Sequence, residues 1–243
     1  MKKHLLLCAM LLLGIGVLAG GAQATIFENA GFEASDWWAN DLSGWPIGTG
    51  TLGMGSVNVT DVHPTSLNNT YFAKEGNNFA VLTAGDLVVD NTGAAVPGSS
   101  PTTLSQTFTI DPGQGATMIS GWAAFDALDY GSFADFGYVR ILDALGALLA
   151  QPFYDAVTTT TDPSFDGPWT QWSWSTAMAG TYTLEFGVAN VGDDPAFPAP
   201  WNSSMLLVDG IDVTTPVPEP SSLILSVAGL ICVVILRRRT ING

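Results

Sequence analysis

Thr181-Tyr182-Thr183-Leu184-Glu185-Phe186-Gly187-Val188 decides the fold class. Tyr182, Leu184, Phe186 and Val188 fall on one side of an extended chain, and Thr181, Thr183, Glu185 and Gly187 fall on the other. Successive side chains of a strand point to opposite faces, so the stretch reads as a strand with one face in a core and one in water. Residues 104–110 repeat the pattern with Ser105, Thr107 and Thr109 outward, and Asp111-Pro112-Gly113 then reads as a turn. Residues 79–83, 117–125, 170–175 and 205–213 read as further strands, and 136–142 with 147–154 as a hairpin around Asp143-Ala144-Leu145-Gly146. About eight short strands without a capped helical period predict an all-β, jelly-roll-type two-sheet sandwich.

The two ends of the chain are built differently. Lys2 and Lys3 precede an apolar run over 5–18, and Ala22-Gln23-Ala24 offers small residues for cleavage. This is the pattern of an N-terminal signal peptide over 1–24, cut after Ala24 with Ala22 at the other small position. An uncleaved N-terminal anchor is the alternative. At the far end, Val217-Pro218-Glu219-Pro220 leads into an apolar stretch over 223–236, followed by Arg237, Arg238 and Arg239. A single transmembrane helix over about 221–236 is expected, extended by Ser221, Ser222 and snorkelling arginines. The basic tail 237–239 then stays cytoplasmic, and the body of the chain faces outward.

Removing the ends changes the charge. Between Thr25 and Pro216 stand 21 acids against two bases, Lys74 and Arg140, a formal charge of −19 where the whole chain has −15. Such a surface repels nucleic-acid phosphates and anionic lipid, so no nucleic-acid partner is expected. It attracts hard cations, Ca²⁺ above all. Solubility is the simpler reason for most of the individual acids. Cys8 and Cys232 both lie in the hydrophobic ends, so the body has no disulfide and no thiolate chemistry.

The Pro-Glu-Pro tripeptide, the apolar stretch and the terminal arginines, in that order, resemble the PEP-CTERM signal of Gram-negative bacteria. That signal is the substrate of a membrane protease, exosortase. The resemblance implies that 215–243 is a sorting signal and that exosortase is a processing partner. It also implies a membrane-anchored precursor that ends at the cell surface or outside the cell. A plain tail anchor that is never cut is the alternative.

Within 25–214, four short stretches are similar to the galactose-binding-like sandwich, a fold of many carbohydrate-binding modules. They are Asn29-Ala30-Gly31-Phe32-Glu33, Leu42-Ser43-Gly44-Trp45, Glu75-Gly76-Asn77-Asn78-Phe79-Ala80-Val81-Leu82 and Leu206-Leu207-Val208-Asp209-Gly210-Ile211-Asp212-Val213. This resemblance implies a structural Ca²⁺ that joins a first-strand acid to a last-strand acid. Glu33 and Asp209 match those positions, with a loop group near Glu75 or Asn77. The residues add one point of their own. A regular strand over 205–213 places Asp209 on one face with Met205, Leu207, Ile211 and Val213, and a buried carboxylate must be paired, protonated or metal-bound. A bulge at Gly210 that turns Asp209 outward is the alternative.

All eight tryptophans lie in the body. Tryptophan stacks on the apolar faces of sugar rings, and Trp37, Trp38 and Trp201 are the ligand-binding candidates. Trp45 and Trp122 read as core, and Trp172 and Trp174 share a face. His63, the one histidine of the body, cannot make a zinc site alone. Neither a nucleophile elbow nor a phosphate loop occurs, and no catalytic residue is assigned. The expectation is an exported, non-enzymatic, exosortase-sorted surface or matrix protein associated with exopolysaccharide. A dedicated carbohydrate-binding module, or a small glycoside hydrolase built on a pair of the acids, are the alternatives.

Overall fold

The computed structural model describes residues 26–34, 41–48, 55–65, 69–85, 101–113, 115–127, 135–157, 165–191 and 203–215. Its strands are β1 (Ile47–Gly48), β2 (Ser56–Thr60), β3 (Val62–Pro64), β4 (Thr70–Phe72), β5 (Phe79–Thr83), β6 (Thr102–Ile110) and β7 (Thr117–Ala127). They continue with β8 (Phe136–Asp143), β9 (Leu148–Ala156), β10 (Phe165–Asp166), β11 (Thr170–Thr176), β12 (Gly180–Ala189) and β13 (Met205–Thr214). The expected strands are all present. The short strands β1 to β4 and β10 were not anticipated.

The strands form two packed sheets. One has the order β1-β6-β12-β8-β9; the other has β10-β7-β13-β5-β2, with β11 also on β7. Pairing is antiparallel throughout, as in Thr183 opposite both Thr107 and Leu142. The alternation of β12 is realised in full: Leu184, Phe186 and Val188 are fully buried and Tyr182 nearly so. They meet Ile119, Ala123 and Phe125 of β7 and Leu206 and Val208 of β13 in the core between the sheets. The fold class is therefore all-β, a two-sheet sandwich.

The N-terminal segment closes this core. Phe27, Phe32 and Trp45 are buried in it, and Trp45 lies parallel to Phe27 with centroids 5.9 Å apart. The buried Gln106 of β6 holds the segment in place. It accepts the Glu28 N–H at 2.8 Å and donates to the Glu28 and Gly44 carbonyls at 3.1 and 2.7 Å. A small outer sheet of β3 and β4 covers part of the opposite face of the six-stranded sheet, where Tyr71 joins Phe79, Val81, Ala124 and Leu207 in a second cluster.

β13 is not a regular strand. Its register on β7 slips between Asp209 and Asp212, and Gly210 has φ +58°. One extra residue reverses the alternation of everything beyond it. Ile211 and Val213 consequently pack into the core with Leu206 and Val208, while Asp209 stays with Leu207 on the other face. The shared face expected for Asp209, Ile211 and Val213 is thereby corrected. The bulge is real, but Asp209 is fully buried all the same.

The positive φ at Gly210 makes a prediction. A Cβ there would lie 2.9 Å from the Glu75 side chain. Gly210→Ala is expected to lose about 1–2 kcal/mol from left-handed strain and crowding, read by urea denaturation. An unchanged midpoint would mean that the bulge tolerates a side chain.

Candidate functional site

Glu33, Glu75 and Asp209 come together around one loop, residues 74–78. Asp209 Oδ2 accepts the backbone N–H of Lys74 at 2.5 Å and of Glu75 at 3.0 Å, and Oδ1 accepts that of Gly210 at 2.6 Å. Glu33 Oε1 accepts the N–H of Asn77 and of Asn78, each at 2.8 Å. Two carboxylates thus grip one loop from its two ends. Burial pushes the Asp209 carboxyl up from its ordinary range, the three amides pull it back, and the Glu75 charge adds to the rise. The groups between Glu33 and Asp209 are amide hydrogens, whose positive ends repel a cation. Among the described residues, no three His, Cys, Asp or Glu side chains are placed to hold a metal ion. In this arrangement the backbone of the 74–78 loop links Glu33 to Asp209.

The described tryptophans serve packing. Trp45 is core, with its indole N–H on the Glu28 carbonyl at 2.9 Å. Trp172 and Trp174 both turn inward, against Phe186 and Tyr182. Trp169 lies edge-on to Tyr71 and Phe79 in the second cluster. Trp122 is half-buried on the outer face, with the Lys74 ammonium 5.2 Å from its ring centre, so it is not a core residue as expected. Trp37, Trp38 and Trp201 lie outside the described residues. So do Ala22 and Ala24, the motif Val217, Pro218, Glu219 and Pro220, and the basic tail Arg237, Arg238 and Arg239.

The outer face of the five-stranded sheet was not singled out from sequence. There Phe136, Tyr138 and Tyr154 form a stacked series, with Phe136 6.2 Å from Tyr138 and 6.0 Å from Tyr154. The Arg140 guanidinium sits 3.8 Å from the Tyr138 ring centre and donates to Gln151 Oε1 at 2.9 Å. The Tyr138 hydroxyl donates to Glu185 at 3.2 Å. Burial and then the Glu185 carboxylate hold that phenol well above its usual range. Gly187 makes room for the ring, because a Cβ there would overlap it. Thr107 and Thr183 pair across the strands at 3.1 Å. Tyr138 is itself buried under the Arg140 guanidinium, so the open aromatic surface of this face is Tyr154, 54 % exposed, with part of Phe136, beside amide, carboxylate, guanidinium and hydroxyl groups. The signal was present in the outward alternation Phe136-x-Tyr138-x-Arg140 and in a glycine inside the neighbouring strand.

A third cluster lies beneath β3 and β4. Asp126 is fully buried, and among the described residues neither carboxylate oxygen has a hydrogen bond. It faces His63 Nε2 at 3.5 Å. Asp166, its register partner, accepts the Thr65 hydroxyl at 2.9 Å, and the Tyr71 hydroxyl donates to the Gly167 carbonyl at 2.6 Å. Burial raises the Asp126 pKa; His63 opposes the rise and the Asp166 charge adds to it.

Two predictions follow from these carboxylates. Asp126 has a raised folded pKa, so its contribution to stability is full below its unfolded pKa and is lost as pH rises through the folded one. Asp126→Asn is therefore expected to stabilise most at about pH 8, with the gain over the parent shrinking toward pH 4 in denaturant titrations. A gain independent of pH would contradict this. For the amide-clamped loop, added Ca²⁺ or chelator is expected to move the Tm by less than about 1 °C, and a larger Ca²⁺-dependent rise would return an ion to Glu33 and Asp209.

Residues 216–239 match the family described as the PEP-CTERM protein-sorting motif. No curated protein matches the chain. Among solved structures, the enzymatically active domain of bacteriophage CBA120 tailspike protein 4 aligns over 79 % of this chain at 15 % identity and TM-score 0.40. The chain spans only 21 % of that protein. The xylan-binding domain CBM22-1 of Paenibacillus barcinonensis Xyn10C aligns over 76 % of this chain and 91 % of its own, at 14 % identity and TM-score 0.35. The K1 cleaved adhesin domain of Lys-gingipain from Porphyromonas gingivalis W83 aligns over 77 % and 96 %, at 11 % identity and TM-score 0.42. The chain is a protein that carries a PEP-CTERM protein-sorting motif behind an all-β sandwich.

Proposed function

We propose that this is an exported, exosortase-processed envelope protein whose sandwich associates with neutral polysaccharide and performs no catalysis. The sorting motif supports export by way of a membrane-anchored precursor, in a Gram-negative cell. The observation that carries the polysaccharide reading is the exposed Tyr154 ring, with the half-buried Phe136 stacked on it, beside Arg140, Gln151 and Glu185. Aromatic faces take the C–H surface of a sugar ring, and the flanking groups take its hydroxyls. The formal charge of −19 in the body disfavours acidic polymers, which leaves neutral ones. The non-catalytic reading is supported by what the described carboxylates do. Asp209 and Glu33 hold the 74–78 loop, and Asp135 accepts the Val191 N–H and the Ser204 hydroxyl, both at 2.7 Å.

Affinity electrophoresis through gels containing xylan, mannan or a β-glucan tests the face. At least one polymer is expected to retard the protein without release of reducing ends. Tyr154→Ala should weaken that retardation roughly five- to tenfold, the worth of about 1 kcal/mol of aromatic contact. Retardation untouched by Tyr154→Ala would move the binding surface elsewhere.

A further inference from the structure

The sandwich has two unlike ends. At one, β6 turns into β7, β8 into β9 and β11 into β12, and β13 finishes. The register places these together: Gly180 lies opposite Ile110, Tyr182 opposite Asp143, and Thr176 and Thr214 opposite Thr117 and Met118. The connections that follow β5, β7, β9 and β12 leave from the opposite end.

The tight-turn end is apolar where the rest of the body is acidic. Its turns read Ala144-Leu145-Gly146-Ala147-Leu148-Leu149 and Ala177-Met178-Ala179. Leu145 is 94 % exposed and Met178 72 %, and Leu148, Leu149 and Met118 are exposed beside them. Its acids are few. Asp143 turns its carboxylate back onto the N–H groups of Leu145 and Ala147, at 2.8 Å each, and Asp111 and Asp212 are exposed. Neither of the body's two bases lies in these turns, so any attraction here is apolar rather than ionic.

What faces this end follows from where the described chain stops. β13 ends at Thr214, and the apolar stretch of the sorting tail starts at Leu223. The eight residues 215–222 between them reach at most roughly 28 Å even when fully extended. Whatever bilayer receives that stretch is thus kept within reach of Leu145 and Met178. We propose that the turn end of the sandwich, through Leu145, Leu148 and Met178, rests on the zwitterionic lipid surface of the membrane that holds the uncut tail. The proposal depends on the anchored-precursor reading above. Tethering raises the local concentration of the patch at the surface to about millimolar, so a few side chains suffice. Their depth is that of an interfacial contact, about 5–10 Å into the headgroup boundary. The sheet face with Tyr154 is then held clear of lipid, about 20 Å further along β9 than Leu148.

The test uses the full chain with Cys8→Ser and Cys232→Ser, reconstituted in phosphatidylcholine vesicles that contain a headgroup-region quencher. A fluorophore is placed at Leu145→Cys or, for comparison, at Tyr154→Cys. Flotation with the vesicles and quenching at 145 about twofold or more above that at 154 are expected. Adding Met178→Asp should bring the 145 signal down toward that of 154. A chain that floats but shows equal quenching at both positions overturns the docking alone. A chain that does not float overturns the anchored-precursor reading and the docking with it.

Discussion

The bulge at Gly210 sets the phase of the strand at the middle of the six-stranded sheet. Before it, β13 points Leu206 and Val208 into the core; after it, Ile211 and Val213 point the same way. Without the extra residue, one half of the strand would present its apolar side chains to the wrong face. The slip also releases backbone groups from the ladder, and these are met locally. The Ile211 N–H donates to the Ala30 carbonyl at 3.3 Å, which ties the N-terminal segment to the last strand. Asp209 then faces away from the core and collects the amides of the 74–78 loop. One left-handed glycine therefore couples the first described segment, the loop before β5 and the final strand.

The carboxylates are handled without cations because the body has almost none to offer. Lys74 and Arg140 both lie against aromatic rings, those of Trp122 and Tyr138. Backbone N–H groups do the work instead at Asp209 and Glu33, and they are joined by a hydroxyl at Asp135. Amide hydrogen bonds offset part of the desolvation of a buried carboxylate without a counter-ion. Asp126 departs from this scheme. Among the described residues its oxygens accept no amide; His63 Nε2 lies 3.5 Å away, and burial raises the Asp126 pKa. It sits where β3 and β4 meet the main sheet, so the attachment of that covering layer responds to protons.

The long strands were legible because each carries enough residues for a period of two to show. Residues 181–188 and 104–110 place every expected side chain on its expected face. β3 and β4 were not, since three residues give no period and Tyr71 is buried only by partners distant in sequence. The phase of Ile211 was hidden for a different reason. A glycine in a strand signals a bulge or a close approach, and only the pairing with β7 tells which. The reading of Trp122 as core was avoidable. Ile119, Ala123 and Phe125 are the inward set of β7, and alternation alone assigns Trp122 to the other face with Ala124. At the acids, sequence located Glu33, Glu75 and Asp209 around one place, but not that amides fill the space between them.

The distribution of chain around the sandwich gives the molecule a direction. Asp135 gathers the roots of several connections at the end opposite Thr214. Besides Val191 and Ser204, its carbonyl accepts the Val157 N–H at 2.8 Å, and the Ser204 carbonyl accepts that of Ala84 at 2.9 Å. These contacts join the departures of the connections that follow β5, β9 and β12 through the carboxylate and backbone of Asp135 and the backbone of Ser204. The tight-turn end needs no such tie, because each of its turns returns the chain directly. The longer connections therefore leave from one pole, and β13 finishes at the other. Tyr154, near the end of β9, lies toward the pole of the long connections and away from the end of β13. The strand order that closes the core thus also sets the point where β13 leaves the sandwich apart from the long connections.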